Sequence, residues 1–72
     1  MTLQTVPRIS LKAARVNADL SQQEAAKRLG ISKATLQNYE AGNTVPDILL
    51  SRKIEDVYGF PIDFIFLGQI TL

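Results

Sequence analysis

The chain has 72 residues and a formal net charge of +1, and it contains neither cysteine nor histidine. This length accommodates one small domain, and the missing cysteine and histidine exclude disulfides and the usual zinc ligands, so we expect no metal site and no cofactor. The sequence has no apolar run of membrane-spanning length and no signal-like start, which predicts a cytoplasmic protein without a membrane partner.

The charges are segregated along the chain. Residues 1–39 carry six basic and two acidic side chains, a balance of +4, whereas residues 40–72 carry two basic and five acidic ones, a balance of −3. A molecule with one basic end can face phosphate on that side. Small domains often show such asymmetry by chance, so the charge distribution alone does not decide the function.

The start of the chain predicts an extended arm followed by a helix. Residues 1–9 lack periodicity, and we assign them to an N-terminal arm. Ser10 is a good N-cap, and Leu11, Ala14 and Ala18 recur at helical spacing after it. The first helix should therefore begin near Ser10.

A capping box opens the second helix. Ser21 is followed three positions later by Glu24, a pattern in which each side chain satisfies a free backbone amide at the helix start. The helix should end at Leu29 and Gly30, because glycine takes the positive φ angle that a sharp exit requires.

The third helix has two distinct faces. Ser32 is its predicted N-cap, and Leu36 and Tyr39 point to one side. Helical spacing places five other residues on the opposite side: Lys33, Ala34, Gln37, Asn38 and Ala41.

Two further helices and a tail complete the prediction. Asp47 is the expected cap of a fourth helix over residues 48–58, and a short fifth helix is predicted over residues 62–67. Residues 69–72 form a tail with some strand character, which could pair with its symmetry mate or with residues 3–6.

Five helices are predicted, with a tight turn between the second and third, and residues at and after that turn form a recognisable pattern: Gln22, Ala26, Gly30, Leu36, the run Glu40-Ala41-Gly42-Asn43, and Pro46. This pattern resembles the lambda-repressor and Cro family of helix-turn-helix DNA-binding domains. The resemblance covers roughly residues 10–67 and implies an all-α fold, with residues 10–68 as a compact five-helix lambda-repressor-like domain that has the helix-turn-helix at helices 2 and 3. Ala25 departs from the pattern, because the family usually has a larger aliphatic residue there.

The resemblance also implies which residues contact DNA. In such domains the start of the third helix lies in the major groove, where each base pair shows its own donors, acceptors and methyl groups. An ordinary solvated face is the alternative for these side chains, and it is the interpretation we favour for Lys27 and Arg28 on the second helix. The expected base contacts are Lys33, Ala34, Gln37 and Asn38, and the expected phosphate contacts are Gln22, Ser32, Asn43 and Thr44.

A further set of residues is assigned to the scaffold. The resemblance implies that Arg15 forms a structural ion pair with Glu40, so we assign Arg15 to the scaffold before DNA. The structural set is Arg15, Ala26, Gly30, Leu36, Tyr39 and Glu40.

The end of the chain has more apolar side chains than a two-turn helix can bury. We expect Ile62 and Ile65 to face inward, while an exposed remainder would mark an interface between two copies. The alternative is that all of them complete the core. Ile48 and Leu49 could extend the same surface, and the residues we place at the dimer interface are Phe64, Phe66 and Leu67.

These observations predict a sequence-specific regulator of transcription that binds double-stranded DNA. The preferred form is a small Cro-like repressor that binds a palindromic operator as a homodimer; an antitoxin-type or protein-interaction module of the same fold is the alternative. An enzyme is not expected, because histidine, cysteine, a glycine-rich phosphate loop and an evident carboxylate pair are all missing. We identify no catalytic residue and no small-molecule ligand.

Overall fold

The computed structural model describes residues 8–66, and helices make up most of that part of the chain. No helix within it is long and apolar enough to cross a membrane. The described residues form four α-helices: α1 (Leu11–Asn17), α2 (Gln22–Leu29), α3 (Lys33–Ala41) and α4 (Ile48–Tyr58).

Each helix begins directly after the polar residue predicted to cap it. In every case the side-chain oxygen accepts a hydrogen bond from the amide three positions on, at 2.8–3.0 Å. These bonds satisfy amides that have no partner inside the helix. The four caps are Ser10, Ser21, Ser32 and Asp47.

The capping box at α2 is realised in one direction. Ser21 Oγ accepts from the Glu24 amide at 3.0 Å, as predicted. The Glu24 carboxylate, however, accepts from Arg28 Nε at 3.2 Å, one turn further along the helix. An oppositely charged partner four residues away therefore engages the side chain that the box would direct back to Ser21.

Small residues allow α2 to lie close to its neighbours. Ala25 and Ala26 are buried in α2, which packs against both α3 and α4. The φ angle of Gly30 is +75°, as predicted, and it turns the chain from α2 toward α3. Leu36 of α3 is fully buried, so it fixes the inner side of that helix in the core.

The predicted fifth helix is wrong. Residues Ile62–Phe64 form a single 3₁₀ turn, and the chain then enters a short strand, β2 (Ile65–Phe66), which pairs in parallel with β1 (Ile9–Ser10). Ile65 is buried and packs with the half-buried Ile9 against the core, which favours the extended pairing over a further helical turn. A short apolar run fits a strand or a helix equally well by periodicity, so the sequence pattern could not separate them.

The predicted N-terminal arm, residues 1–9, extends one residue too far, because Ile9 is part of a strand. Residues 9 and 10 belong to β1, where Ile9 is opposite Ile65 and Ser10 is opposite Phe66. The predicted contacts of the tail, residues 69–72, and of residues 3–6 lie outside the described residues.

Candidate nucleic-acid interface

The outer face of α3 presents four neighbouring side chains. Each of them is exposed, while Leu36 on the other side of the helix has 0 % exposure. The helical repeat places positions i, i+1, i+4 and i+5 together, which fits a short groove-facing surface. These residues are the predicted base contacts Lys33, Ala34, Gln37 and Asn38, and we refer to them as the α3 face.

Gln22 connects the start of α2 to the α3 face. Its amide nitrogen donates to Glu40 Oε1 at 2.9 Å, and its amide oxygen accepts from Gln37 Nε2 at 3.3 Å. The structure thus brings together a predicted phosphate contact and a predicted base contact. Fifteen residues separate the two glutamines, so no local spacing in the sequence indicated this contact.

A second link joins the end of α3 to the loop that follows it. Asn43 Nδ2 donates to Asn38 Oδ1 at 3.3 Å, while Thr44 is exposed in the same loop. The bond gives the exposed Asn38 side chain a defined partner on the protein. It also couples another predicted base contact to another predicted phosphate contact.

Ser32 is engaged at the start of α3. Its Oγ accepts from the Thr35 amide at 3.0 Å and donates to Thr35 Oγ1 at 2.8 Å. The hydroxyl hydrogen of Ser32 is therefore directed at Thr35 in this structure. A phosphate at this helix end would have to compete with Thr35 Oγ1 for the hydrogen bond that the Ser32 hydroxyl donates.

An ion pair lies beneath this surface. Arg15 Nε donates to Glu40 Oε2 at 2.6 Å and Arg15 Nη2 donates to Glu40 Oε1 at 3.3 Å. Arg15 Nη1 also donates to the carbonyl oxygen of Leu20 at 2.8 Å. The two charged side chains are only 8 % and 6 % exposed, so this pair joins α1, the α1–α2 connection and α3 in a largely desolvated place.

Tyr58 of α4 lies close enough to this pair to interact electrostatically with both charges. Burial raises the pKa of Tyr58 to about 12, the charge of Glu40 adds to the rise, and the charge of Arg15 opposes it. Within the described part of the chain its hydroxyl has no hydrogen-bond partner. Tyr58 is therefore a neutral core residue at physiological pH.

A basic cavity opens at the start of α2. Its volume is about 460 Å³, and its lining has three basic side chains and no acidic one: Lys12, Arg15, Ser21, Gln22, Gln23 and Lys33. Because Glu40 engages Arg15, the charge of the cavity that no acidic side chain among residues 8–66 pairs with comes from Lys12 and Lys33. The sequence pattern did not indicate Lys12, since its place beside α2 depends on how α1 packs.

The apolar residues predicted at a dimer interface are placed differently from one another. Phe64 is half-buried, and its ring lies edge-on to Phe60 with centroids 6.4 Å apart. The side chain of Phe66 and the whole of Leu67 lie outside the described residues. Large apolar side chains are instead exposed around the start of α4, where Val45, Ile48 and Leu49 are 60 %, 67 % and 76 % exposed. We refer to these three residues as the α4 patch.

Comparison with known proteins gives a consistent set of similarities. The family model described as Helix-turn-helix matches residues 11–65. An uncharacterised HTH-type transcriptional regulator of Methanocaldococcus jannaschii is 37 % identical over 59 residues, which cover 82 % of this chain and 89 % of that protein.

Two other similar proteins come from phages. The transcriptional repressor RstR of the cryptic phage CTXphi from Vibrio cholerae is 40 % identical over 48 residues, 67 % of this chain and 43 % of the repressor. An uncharacterised HTH-type transcriptional regulator from the SPbeta prophage of Bacillus subtilis is 34 % identical over 58 residues, 81 % of this chain and 54 % of that regulator. The similarity to these two proteins thus spans about half of their length.

Proposed function

The chain belongs to the helix-turn-helix family of the lambda-repressor and Cro type, and on this basis we propose that it is a transcriptional regulator that binds specific sequences of double-stranded DNA. The α3 face is the observation that carries the proposal. It presents four side chains outward from a helix that Leu36 fixes in the core, which is the arrangement required to place a helix in the major groove.

The side chains of the α3 face match the chemistry of base edges. Lys33 can donate to O6 and N7 of guanine, and Ala34 can contact the methyl group of thymine. Gln37 or Asn38 can form two hydrogen bonds with adenine. The face therefore has partners for several bases, and its preferred sequence depends on how the four side chains share them.

The DNA backbone would lie against the basic cavity and the ends of α3. Lys12 and Lys33 supply positive charge there, and the start of α2 adds the partial positive charge of its free amides. Gln22, Ser32, Asn43 and Thr44 are the further phosphate contacts that we propose. Such contacts hold the α3 face in register without reading sequence.

Alanine substitutions on the α3 face test this function. Lys33→Ala and Gln37→Ala are each expected to weaken binding to the preferred duplex by about 1 to 3 kcal/mol, because each variant removes a proposed base contact. The preferred duplex is first obtained by selection from random DNA, and affinity is then measured by fluorescence anisotropy at fixed salt.

Lys27→Ala is the matched control for the lost charge, since Lys27 is exposed on α2. It should change the affinity for preferred and scrambled DNA by the same factor. Unchanged specific affinity in the Lys33→Ala, Gln37→Ala double variant, with folding retained by circular dichroism, would reject the α3 face as the reading surface.

We further propose that the protein acts as a homodimer on a palindromic operator, as a small Cro-like repressor. One α3 helix contacts few base pairs, whereas two related by a two-fold axis can lie about 34 Å apart on successive turns of DNA. The α4 patch supplies exposed apolar surface for such an interface, and the half-buried Phe64 is a further proposed contributor. The similarity to a phage repressor supports repression as the form of control.

Leu49→Glu tests the dimer. The change should raise the dimer dissociation constant at least about tenfold, because a charge would be buried in an apolar contact, and sedimentation would shift toward the monomer. Val16→Glu is the control, since Val16 is an exposed apolar residue of α1 outside the α4 patch. A wild type that sediments as a monomer at high concentration would contradict the dimer and favour the α4 patch as a site for another protein.

A further inference from the structure

A left-handed turn at the end of α3 folds the following loop back onto that helix. Gly42 has a φ angle of +79°, and the backbone amide of Asn43 donates to the carbonyl oxygen of Asn38 at 3.0 Å. This backbone bond closes the helix end and holds Asn43 beside the last turn. The side chain of Asn43 returns to the same residue, since its Nδ2 donates to Asn38 Oδ1 at 3.3 Å. Two bonds therefore tie Asn43 to one residue of the α3 face.

The end of α3 favours the direction of the side-chain bond. The last turn of an α-helix carries partial negative charge on its carbonyl groups, so it attracts the positive end of a nearby dipole. In an asparagine amide the positive end is the NH₂ group. Asn43 therefore turns its nitrogen toward α3, and Asn38 meets it with its oxygen, because only the oxygen of an amide accepts.

This bond determines which atoms Asn38 presents to a base. The amide is planar, with its oxygen and nitrogen on opposite sides, so an oxygen directed at the loop leaves the NH₂ group on the side away from the loop. Among residues 8–66 this NH₂ group donates to no other atom. Because Asn38 is exposed, it offers two donors to a base, whereas a freely rotating asparagine would offer a donor beside an acceptor.

The two arrangements select different bases. Guanine presents two acceptors, O6 and N7, whereas adenine presents the N7 acceptor beside the N6 donor. A donor-only amide that faced adenine would place an N–H opposite N6, and two donors without an acceptor leave hydrogen bonds unmade. Asn38 in this orientation therefore favours guanine, and the adenine contact of the α3 face falls to Gln37.

We propose that Asn43 is a positioning residue that makes Asn38 a donor-only contact and thereby gives it a preference for guanine over adenine. The inference rests on the proposed function, since it assumes that the α3 face reads bases. It differs from a phosphate contact by Asn43, which would affect all sequences alike. It also differs from a purely structural role, which would alter stability without altering base preference.

The test reverses the bond between the two asparagines. Asn43→Asp replaces the donor by a carboxylate, which only accepts, so Asn38 must turn its nitrogen toward it and present its oxygen beside the remaining N–H. Base preferences are measured by selection from random duplex DNA, and Asn38→Ala identifies the position of the consensus that Asn38 reads. At that position the guanine-over-adenine preference of Asn43→Asp should fall about tenfold, with the other positions unchanged.

Thr44→Asp is the matched control, because it adds the same charge to the neighbouring exposed residue of the loop. Both variants should bind all DNA more weakly, since the added carboxylate repels phosphate, but Thr44→Asp should retain the wild-type preference at every position. The proposal is overturned if Asn43→Asp also retains it, or if Thr44→Asp loses it to the same extent. A wild type without any consensus removes the proposed function itself, whereas a wild-type consensus with no position sensitive to Asn38→Ala overturns only this proposal.

A measurement without DNA tests the direction of the bond. In a ¹H–¹⁵N spectrum of the wild type, the side-chain NH₂ signals of Asn43 should report a hydrogen-bonded amide and those of Asn38 a free one, with the exposed Asn17 of α1 as the reference. Asn43→Asp should shift the Asn38 signals toward hydrogen-bonded values, while Thr44→Asp should not. The reverse pattern in the wild type, or Asn38 signals that Asn43→Asp leaves unchanged, would overturn the proposal whatever the DNA result.

Discussion

Replacing Arg15 by methionine is expected to lower the free energy of unfolding by about 3 to 5 kcal/mol. The loss follows from what remains behind: the Glu40 side chain is 6 % exposed, and without arginine its charge is left in a desolvated place. The Leu20 carbonyl would lose its arginine hydrogen bond as well. Since native domains are stable by only about 5 to 15 kcal/mol, this single change would remove much of the stability.

Arg28→Met is the matched control for this prediction. Arg28 pairs with Glu24 at 3.2 Å, but their side chains are 54 % and 50 % exposed, so solvent screens the pair and its loss should cost less than about 0.5 kcal/mol. Urea unfolding followed by circular dichroism measures both variants under identical conditions. Equal losses in the two variants would contradict a special contribution from the buried pair.

A double variant separates the charge from the packing of the arginine. Combining Arg15→Met with Glu40→Leu removes both charges, so it should recover most of the stability that Arg15→Met alone loses. If the double variant is no more stable than the single one, the loss comes from the arginine's contacts rather than from the stranded carboxylate.

The helix boundaries could be predicted because their signals are local. Ser10, Ser21, Ser32 and Asp47 each cap a helix through a bond to a backbone amide three residues away. Gly30 likewise ends α2 through its own backbone conformation. These capping and termination signals depend on residues within one helical turn, so they can be recognised in the sequence alone.

The contacts that complete the fold depend on distant partners. The strand at Ile65–Phe66 exists because Ile9–Ser10, at the other end of the domain, pairs with it. Hydrophobic periodicity depends only on the local apolar run and contains no information about a distant strand partner. A helix was therefore predicted there. The Gln22–Gln37 bond was unforeseen for the same reason, since it appears only once α2 and α3 are packed.

The location of the proposed dimer interface could not be predicted from the sequence alone. Chain position suggested Phe64, whose ring is partly covered by Phe60, whereas exposure points to Ile48 and Leu49. Hydrophobic side chains of one sequence compete for the same core, and packing decides which of them remain at the surface. The apolar pattern therefore predicts that some apolar side chains stay exposed, but it does not predict which ones.

Replacing Leu36 by alanine is the second change expected to have a large effect, a loss of about 2 to 5 kcal/mol in the free energy of unfolding. Leu36 has 0 % exposure on the inner side of α3, so truncation removes apolar contacts and leaves a cavity. Leu36→Met nearly conserves the volume and should cost less than about 1.5 kcal/mol, which keeps the test valid should the alanine variant fail to fold.

Lys33→Ala supplies the opposite case on the same helix. Lys33 is exposed, so the free energy of unfolding of the Lys33→Ala variant should change by no more than about 0.5 kcal/mol, while its affinity for specific DNA falls. Urea unfolding and anisotropy measured on all three variants separate the two effects: Leu36 should determine stability, and Lys33 should determine recognition. A stability loss of Leu36→Ala no larger than that of Lys33→Ala would mean that α3 is not fixed through Leu36, and the outward orientation of the α3 face would lose its physical basis.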